Sequence, residues 1–145
     1  MTTHEGLPGL ERPTGADPGR LLRLALQVDA VVTGAFGVLL LGAGPLLAGL
    51  LGTPPALLLV LGPLLIAYAA GIWITGTRRH VNRSAAWSAV GLNALWVVGS
   101  VLAVTAGWFS LTVLGTAFIL AQAVMVALFA DLQFLGLRRA RPATA

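Results

Sequence analysis

The sequence predicts an all-α fold, a four-transmembrane-helix bundle with both termini in the cytoplasm. Of its 145 residues, 57% are hydrophobic and 10% are charged, which leaves too little polar surface to cover a soluble domain. Four apolar stretches are each long enough to cross a hydrocarbon layer ~30 Å thick. Since cytoplasmic segments carry the excess of basic residues, three arginine clusters alternating with two uncharged turns set the orientation. The clusters are Arg12, Arg20 and Arg23; Arg78, Arg79 and Arg83; and Arg138, Arg139 and Arg141.

The first helix is predicted at 21–43, after a tail at 1–20 that mixes Gly, Pro, Thr and both signs of charge. Such a composition lacks apolar periodicity, so the cytoplasmic tail is expected to be disordered. Helix one should end at Gly44 and Pro45, because proline removes a backbone donor and clashes with the preceding turn. The apolar segment 45–55 is expected to lie in the outer interface as a short helix, with a continuation of helix one as the alternative.

Three further helices complete the predicted bundle, at 56–76, 84–106 and 110–137. Pro63 predicts a kink in the second helix. The last helix would be about 42 Å long, so its inner end should protrude among the headgroups or the helix should tilt. Residues 138–145 should form a basic cytoplasmic tail.

The two halves of the chain are similar in sequence, which suggests a parallel repeat of two hairpins about an axis along the membrane normal. Residues 29–35 (DAVVTGA) match 93–99 (NALWVVG), and residues 66–69 (IAYA) match 120–123 (LAQA). Chance similarity in a sequence rich in Gly, Ala and Leu is the alternative. Rows of small residues at a spacing of four would allow helices to pack closely, either within one chain or between copies in a homo-oligomer.

Polar residues inside lipid are costly, so they are the first place to look for a site. Asp29 lies ~9 Å beyond Arg23 along a straight helix. It is either a proton-carrying group or a structural tie to Asn93 or to an arginine of the loop 78–83; the structural role is favoured. The other polar residues of the predicted helices that are considered as candidates are Gln27, Thr33, Tyr68, Gln122, Asp131 and Gln133.

A polar pocket near the midplane is one interpretation of these residues, because amide, phenol and indole groups could bind a small ligand there. Interhelical hydrogen bonds between the same side chains are the favoured alternative. Asp131 is expected at the inner headgroup level as an interfacial acid. The candidate polar intramembrane site comprises Asp29, Tyr68, Asn93, Trp96 and Gln122.

Several classes of function are unsupported by the sequence. The chain has no cysteine, and its two histidines, His4 and His80, lie outside the predicted helices. We therefore expect no metal site and no cofactor. Catalytic motifs are absent, which argues against an enzyme. The net charge of +4 does not indicate nucleic acid, since the arginines flank apolar segments. They are expected instead to contact anionic lipid headgroups of the bilayer.

Three segments resemble small four-helix integral membrane proteins of Gly/Ala/Leu-rich bacterial proteomes. They are residues 92–96 (LNALW), 114–123 (LGTAFILAQA) and 129–139 (FADLQFLGLRR). The resemblance implies a four-helix fold and the bacterial plasma (inner) membrane, and it carries no substrate and no catalytic residue. Our first hypothesis is a non-enzymatic accessory or scaffold subunit, either self-associating or bound to a membrane protein partner. The alternative is a small proton-coupled carrier or channel-like transporter that uses Asp29 and the midplane pocket.

Overall fold

The computed structural model describes Asp17 and residues 19–140, and in this part of the chain it contains four α-helices and no strand. The helices are α1 (Arg20–Leu51), α2 (Pro55–Thr77), α3 (Arg83–Thr105) and α4 (Val113–Arg139). By length and composition each of them could cross a membrane. The all-α, four-helix prediction is therefore confirmed. The tails were expected at 1–20 and 138–145, but Arg20 already belongs to α1, and Arg138 and Arg139 still belong to α4. Residues 1–16, 18 and 141–145 of these tails lie outside the described residues.

The helix α1 is the longest of the four, with 32 residues. It continues through Pro45 to Leu51, so segment 45–51 belongs to α1 and does not form a separate interfacial helix. Proline removes a single backbone donor, whereas leaving the helix would expose several backbone groups of an apolar segment that has no polar partners. The helix ends at Gly52, which adopts a left-handed conformation with φ 74°.

The outer end of α1 is bonded to the start of α4. The Thr112 hydroxyl donates to the Leu50 carbonyl oxygen at 2.7 Å, and the Thr112 N–H donates to the Leu51 carbonyl oxygen at 3.1 Å. The same hydroxyl oxygen accepts from the Gly115 N–H at 2.9 Å and so caps α4. This cap explains why α4 begins at Val113 and not at the predicted residue 110.

Alanine substitution at the two left-handed glycines should separate conformational strain from steric overlap. Gly52 (φ 74°) and Gly107 (φ 64°) both adopt a conformation that costs an L-residue about 1–2 kcal/mol. A Cβ at Gly52 would also overlap the Ser110 carbonyl oxygen, whereas a Cβ at Gly107 would meet nothing within 4 Å. We expect Gly52→Ala to lower the melting temperature in detergent clearly more than Gly107→Ala. Equal losses would contradict the close approach of Gly52 to the start of α4.

The helices are arranged around the bundle in the order α2, α1, α4, α3. The helix α1 packs along both α2 and α4, and α3 packs along α4, whereas α2 and α3 hardly touch. The helices α1 and α4 approach closely at Gly136, where an added Cβ would lie only 2.8 Å from Leu22 Cα. In a parallel two-hairpin repeat, α2 and α3 would pack as α1 and α4 do. The packing therefore does not follow the symmetry that the repeat requires.

The arginine-bearing ends of the helices lie together at one end of the bundle. The Arg83 guanidinium donates to the Leu137 and Ala140 carbonyl oxygens at the end of α4, at 3.4 and 3.5 Å. At the same end, the Gln27 amide of α1 donates to the Gly76 carbonyl oxygen of α2 at 3.1 Å. The arginines of α1, α3 and α4 and those of the loop 78–82 therefore lie at one end of the bundle.

The first turn of α1 is held by Asp17. Its carboxylate accepts from the Gly19 N–H at 2.9 Å and pairs with the Arg23 guanidinium. The Gly19 N–H, followed by Arg23, holds the pKa of the Asp17 carboxyl below its usual range. A carboxylate at this position also interacts favourably with the positive end of the helix dipole.

Candidate functional site

A buried carboxylate, Asp29, lies in the middle of the polar contacts between the helices. Its side chain is 1% exposed. Oδ1 accepts from the Thr33 hydroxyl one turn further along α1, at 2.9 Å. Oδ2 accepts from Asn93 Nδ2 of α3 at 2.9 Å and from Gln133 Nε2 of α4 at 2.7 Å. One carboxylate thereby joins three helices.

Asn93 extends these contacts to the fourth helix. Its Oδ1 accepts from the Tyr68 hydroxyl of α2 at 2.9 Å, and its Nδ2 also lies 3.3 Å from Gln133 Oε1. Asn93 therefore bonds to a side chain on every other helix of the bundle. We call this set the Asp29 network; it comprises Asp29, Thr33, Tyr68, Asn93 and Gln133.

The side chains around Asp29 can all donate hydrogen bonds to its oxygens. A carboxylate only accepts hydrogen bonds, and each group that faces its oxygens is a donor: one hydroxyl and two amide NH₂ groups. Within residues 19–140 and Asp17, the one ion pair joins Arg23 to Asp17, and no arginine pairs with Asp29. Of the two partners considered from the sequence, the structure shows Asn93 and not an arginine of the loop 78–83.

A second polar cluster lies further out, between α3 and α4. The Trp96 indole Nε1 donates to Gln122 Oε1 at 3.0 Å, and Gln122 Nε2 donates to Ser100 Oγ at 3.3 Å. The pocket expected from Tyr68, Asn93, Trp96 and Gln122 is therefore divided between two separate clusters. The reason is the packing order: α3 packs mainly along α4 and has few contacts with α2, one of which is the Tyr68 bond to Asn93.

Two members of the Asp29 network, Thr33 and Gln133, were not among the predicted site residues. Thr33 is four residues after Asp29, a spacing that places the two side chains on one helix face. Gln133 is fully buried, at 0% exposure, and is close to the arginines of α4 in sequence. Nothing in the sequence indicated this burial, because the sequence does not show that α4 packs along α1, where Gln133 reaches Asp29.

Asp131 lies outside this network. Its side chain is exposed, and among the described residues it forms neither a hydrogen bond nor an ion pair. A location at the inner interface is consistent with this exposure but stays a prediction. A site built from both carboxylates is not formed, because Asp29 is enclosed by the bundle and Asp131 faces outward.

A groove separates α2 from α3, and we call it the α2–α3 groove. Its volume is about 340 Å³, and its walls include Gly71 and Thr75 of α2 and Ala85 and Ser88 of α3. Tyr68 lies at the end of the groove that is furthest from the arginine loop, and it also belongs to the Asp29 network. The side chains of Asp29, Asn93 and Gln133 do not line it, so the carboxylate is separated from the groove by Tyr68.

The surface of the bundle is apolar around its middle. Large hydrophobic side chains on all four helices are exposed, and these residues include Val38, Leu64, Leu95 and Val124. A soluble protein rarely exposes continuous apolar surface of this extent, whereas lipid requires it. No group of three or more His, Asp or Glu residues in the described part of the chain could hold a metal ion.

These features define a multi-pass helical membrane protein whose helices are joined by a buried polar network. Comparisons with protein-family models, with curated proteins and with solved structures find no match. The resemblance to small bacterial four-helix proteins therefore remains a prediction.

Proposed function

We propose that this protein is a non-enzymatic accessory or scaffold subunit of the bacterial plasma membrane, with both termini in the cytoplasm. The observation that carries the proposal is the enclosure of Asp29, the one acidic side chain buried among the described residues. A carboxylate that serves chemistry or transport needs access to a substrate or to water. Here both oxygens are occupied by donors from the bundle itself.

The contribution of this network lies in helix register more than in total stability. Interhelical hydrogen bonds in membranes contribute about 0.6 kcal/mol each on average. Each bond nevertheless requires its two atoms within about 3 Å, which restricts the rotation and depth of all four helices. A bundle with one fixed arrangement presents constant outer faces to a partner, as a scaffold subunit must.

The proposed orientation rests on the basic residues. Arg78, Arg79 and Arg83 lie between α2 and α3, and Arg83 reaches the end of α4, next to Arg138 and Arg139. Since basic residues are retained on the cytoplasmic side, this end of the bundle is assigned to the cytoplasm. The connections at 52–54 and 106–112, which contain no charged residue, are then on the outer side.

A proton-coupled carrier is the second candidate, and one observation favours it. Tyr68 lines the α2–α3 groove and donates to Asn93, which donates to Asp29. A chain of hydrogen bonds therefore connects the groove to an ionisable group inside the membrane, as a proton pathway requires. In this alternative, Asp29 would bind and release a proton during each transport cycle.

The substitution Asp29→Asn distinguishes the two candidates, because it keeps the shape of the side chain and removes the ionisable group. The new amide oxygen can accept from Asn93 and Gln133, and the new NH₂ can face Thr33, whose hydroxyl can rotate to accept. We expect the variant to stay folded and to melt within about 4 °C of the wild type, which corresponds to about 1 kcal/mol, so that a change in proton flux reports the loss of the ionisable group. This should hold at pH 5 and at pH 8, in the same detergent.

Proton flux in liposomes, measured with a pH-sensitive dye, provides the second readout. Asp131→Asn is the matched control, since it makes the same chemical change at an exposed position. We expect neither the wild type nor the two variants to conduct protons above empty liposomes. The scaffold proposal fails if the wild type and Asp131→Asn show flux that a folded Asp29→Asn variant lacks.

A further inference from the structure

The α2–α3 groove begins directly beneath the loop that carries the central arginine cluster. Thr75 and Ala85, which line it, lie two residues from the end of α2 and from the start of α3. From this level the groove extends to Tyr68, about two helical turns or ~10 Å deeper. It is therefore a short surface groove between α2 and α3 that runs from the arginine loop to the level of Tyr68.

The lining of the groove is suited to an apolar chain. Gly71, Ala85 and Ala89 leave space because they have no side chain or only a methyl group. The Thr75 hydroxyl donates to the Gly71 carbonyl oxygen at 2.9 Å, so its hydrogen bond is made within α2. A Cβ added at Gly71 would meet nothing within 4 Å, which shows that the space beside it is open. A volume of about 340 Å³ is within the range of ligand sites in proteins.

The mouth of the groove carries positive charge without a balancing acid. Arg78 and Arg79 are both exposed, and the loop 78–82 contains no Asp or Glu. Among the described residues neither arginine forms an ion pair or a side-chain hydrogen bond, whereas Arg83 is bonded to carbonyl oxygens of α4. Basic pockets between transmembrane helices on the cytoplasmic side are typical binding sites for anionic lipid headgroups.

Two tryptophans indicate that the mouth lies at the headgroup level. Trp73 of α2 is 45% exposed and Trp87 of α3 is 43% exposed, each about one turn from the arginine loop. Tryptophan is enriched at the membrane–water interface. Trp87 stacks edge-on against Phe134 of α4, so it leaves the groove open.

We propose that the α2–α3 groove binds one anionic phospholipid, with an acyl chain between Gly71 and Ser88 and the phosphate on Arg78 and Arg79. Guanidinium groups bind phosphate through paired, charge-assisted hydrogen bonds. A transmembrane helix fits the groove less well, because a spanning helix needs about 20 residues and the groove covers about two turns. The proposal rests on the membrane location of the protein and is independent of its role as a scaffold.

Native mass spectrometry of the full chain in detergent, titrated with phosphatidylglycerol or with phosphatidylcholine of identical acyl chains, tests this site. One arginine near an anionic surface contributes about a fivefold change in binding. We therefore expect the wild type to prefer phosphatidylglycerol about tenfold or more, and the double variant Arg78→Gln with Arg79→Gln to lose this preference. Filling the groove with Gly71→Leu should reduce the binding of both lipids.

Two matched controls distinguish binding in the groove from nonspecific electrostatic attraction of anionic lipid to the basic end of the bundle. The pair Arg138→Gln with Arg139→Gln removes the same charge at the end of α4, and Gly91→Leu adds the same side chain to α3 at a position that is also open but not in the groove lining. Both controls should bind phosphatidylglycerol as the wild type does, with melting temperatures measured for every variant.

Other outcomes would overturn the proposal. Equal losses for the two arginine pairs would show nonspecific electrostatic binding to the basic face. A change of oligomeric size in Gly71→Leu without a change in lipid binding would show that a second copy of the chain, and not a lipid, occupies the groove. If Gly71→Leu does not fold, the comparison of the two arginine pairs still decides the question.

Discussion

Asp29→Leu is expected to destabilise the bundle by about 2–4 kcal/mol, the largest effect of any substitution in the polar network. Leucine removes three hydrogen bonds at once, and it leaves the amide groups of Asn93 and Gln133 buried with a donor unpaired. A buried donor without a partner costs about 1–3 kcal/mol, more than the bond itself contributed. The measurement is the melting temperature in detergent together with the elution profile on size exclusion.

Asp131→Leu is the control, since it makes the same replacement at an exposed position of α4. We expect it to change stability by less than about 0.5 kcal/mol. If Asp29→Leu were as stable as this control, or more stable than the wild type, the network would not be a structural tie. A buried charge that lowers stability is retained for another reason, and the carrier alternative would then be favoured.

Gly136→Val and Gly115→Val are expected to separate α4 from α1, with a cost of about 3 kcal/mol or more for each. A Cβ at Gly136 would lie 2.8 Å from Leu22 Cα and 2.9 Å from the Leu22 backbone nitrogen. A Cβ at Gly115 would overlap the Leu51 carbonyl oxygen. In both cases the obstacle is backbone, which cannot move aside as a flexible side chain would.

Gly91→Val and Gly99→Val are the controls for these variants, because a Cβ at either position of α3 meets nothing within 4 Å. Thermal unfolding in one detergent should rank both controls close to the wild type and both α4 variants far below it. If all four variants lost similar stability, helix propensity of valine and not the α1–α4 contact would explain the effect.

The number and type of helices could be predicted from the sequence because apolar length alone decides them. The pairing of Asp29 with Asn93 was accessible for a similar reason, since few polar groups exist inside the bundle and each needs a partner. The order of the helices was not accessible. Gly and Ala occur on every face, so the sequence does not indicate that Gly115 and Gly136 contact α1 whereas Gly71 borders a groove.

The length of α1 was also beyond sequence reasoning. Pro45 and its glycine neighbours are typical of a helix end, but an apolar segment without polar partners gains more from continued backbone bonding than it loses at one proline. The division of the predicted pocket into two clusters could not be predicted from the sequence either. Trp96 and Gln122 bond to each other at the α3–α4 contact, whereas Tyr68 bonds to Asn93.

The donors of the Asp29 network are supplied by segments far apart in the chain, which has a consequence for biogenesis. Thr33 is synthesised with Asp29, whereas Asn93 follows only with α3 and Gln133 only with α4. When the ribosome has delivered the first hairpin to the membrane, the carboxylate still lacks both of its amide donors. Insertion of the last helix completes the set, and a nascent chain that stops before α4 carries an incompletely partnered acid into the bilayer. We expect such truncated chains to be less stable than the complete bundle, because the acid lacks the donor that α4 supplies.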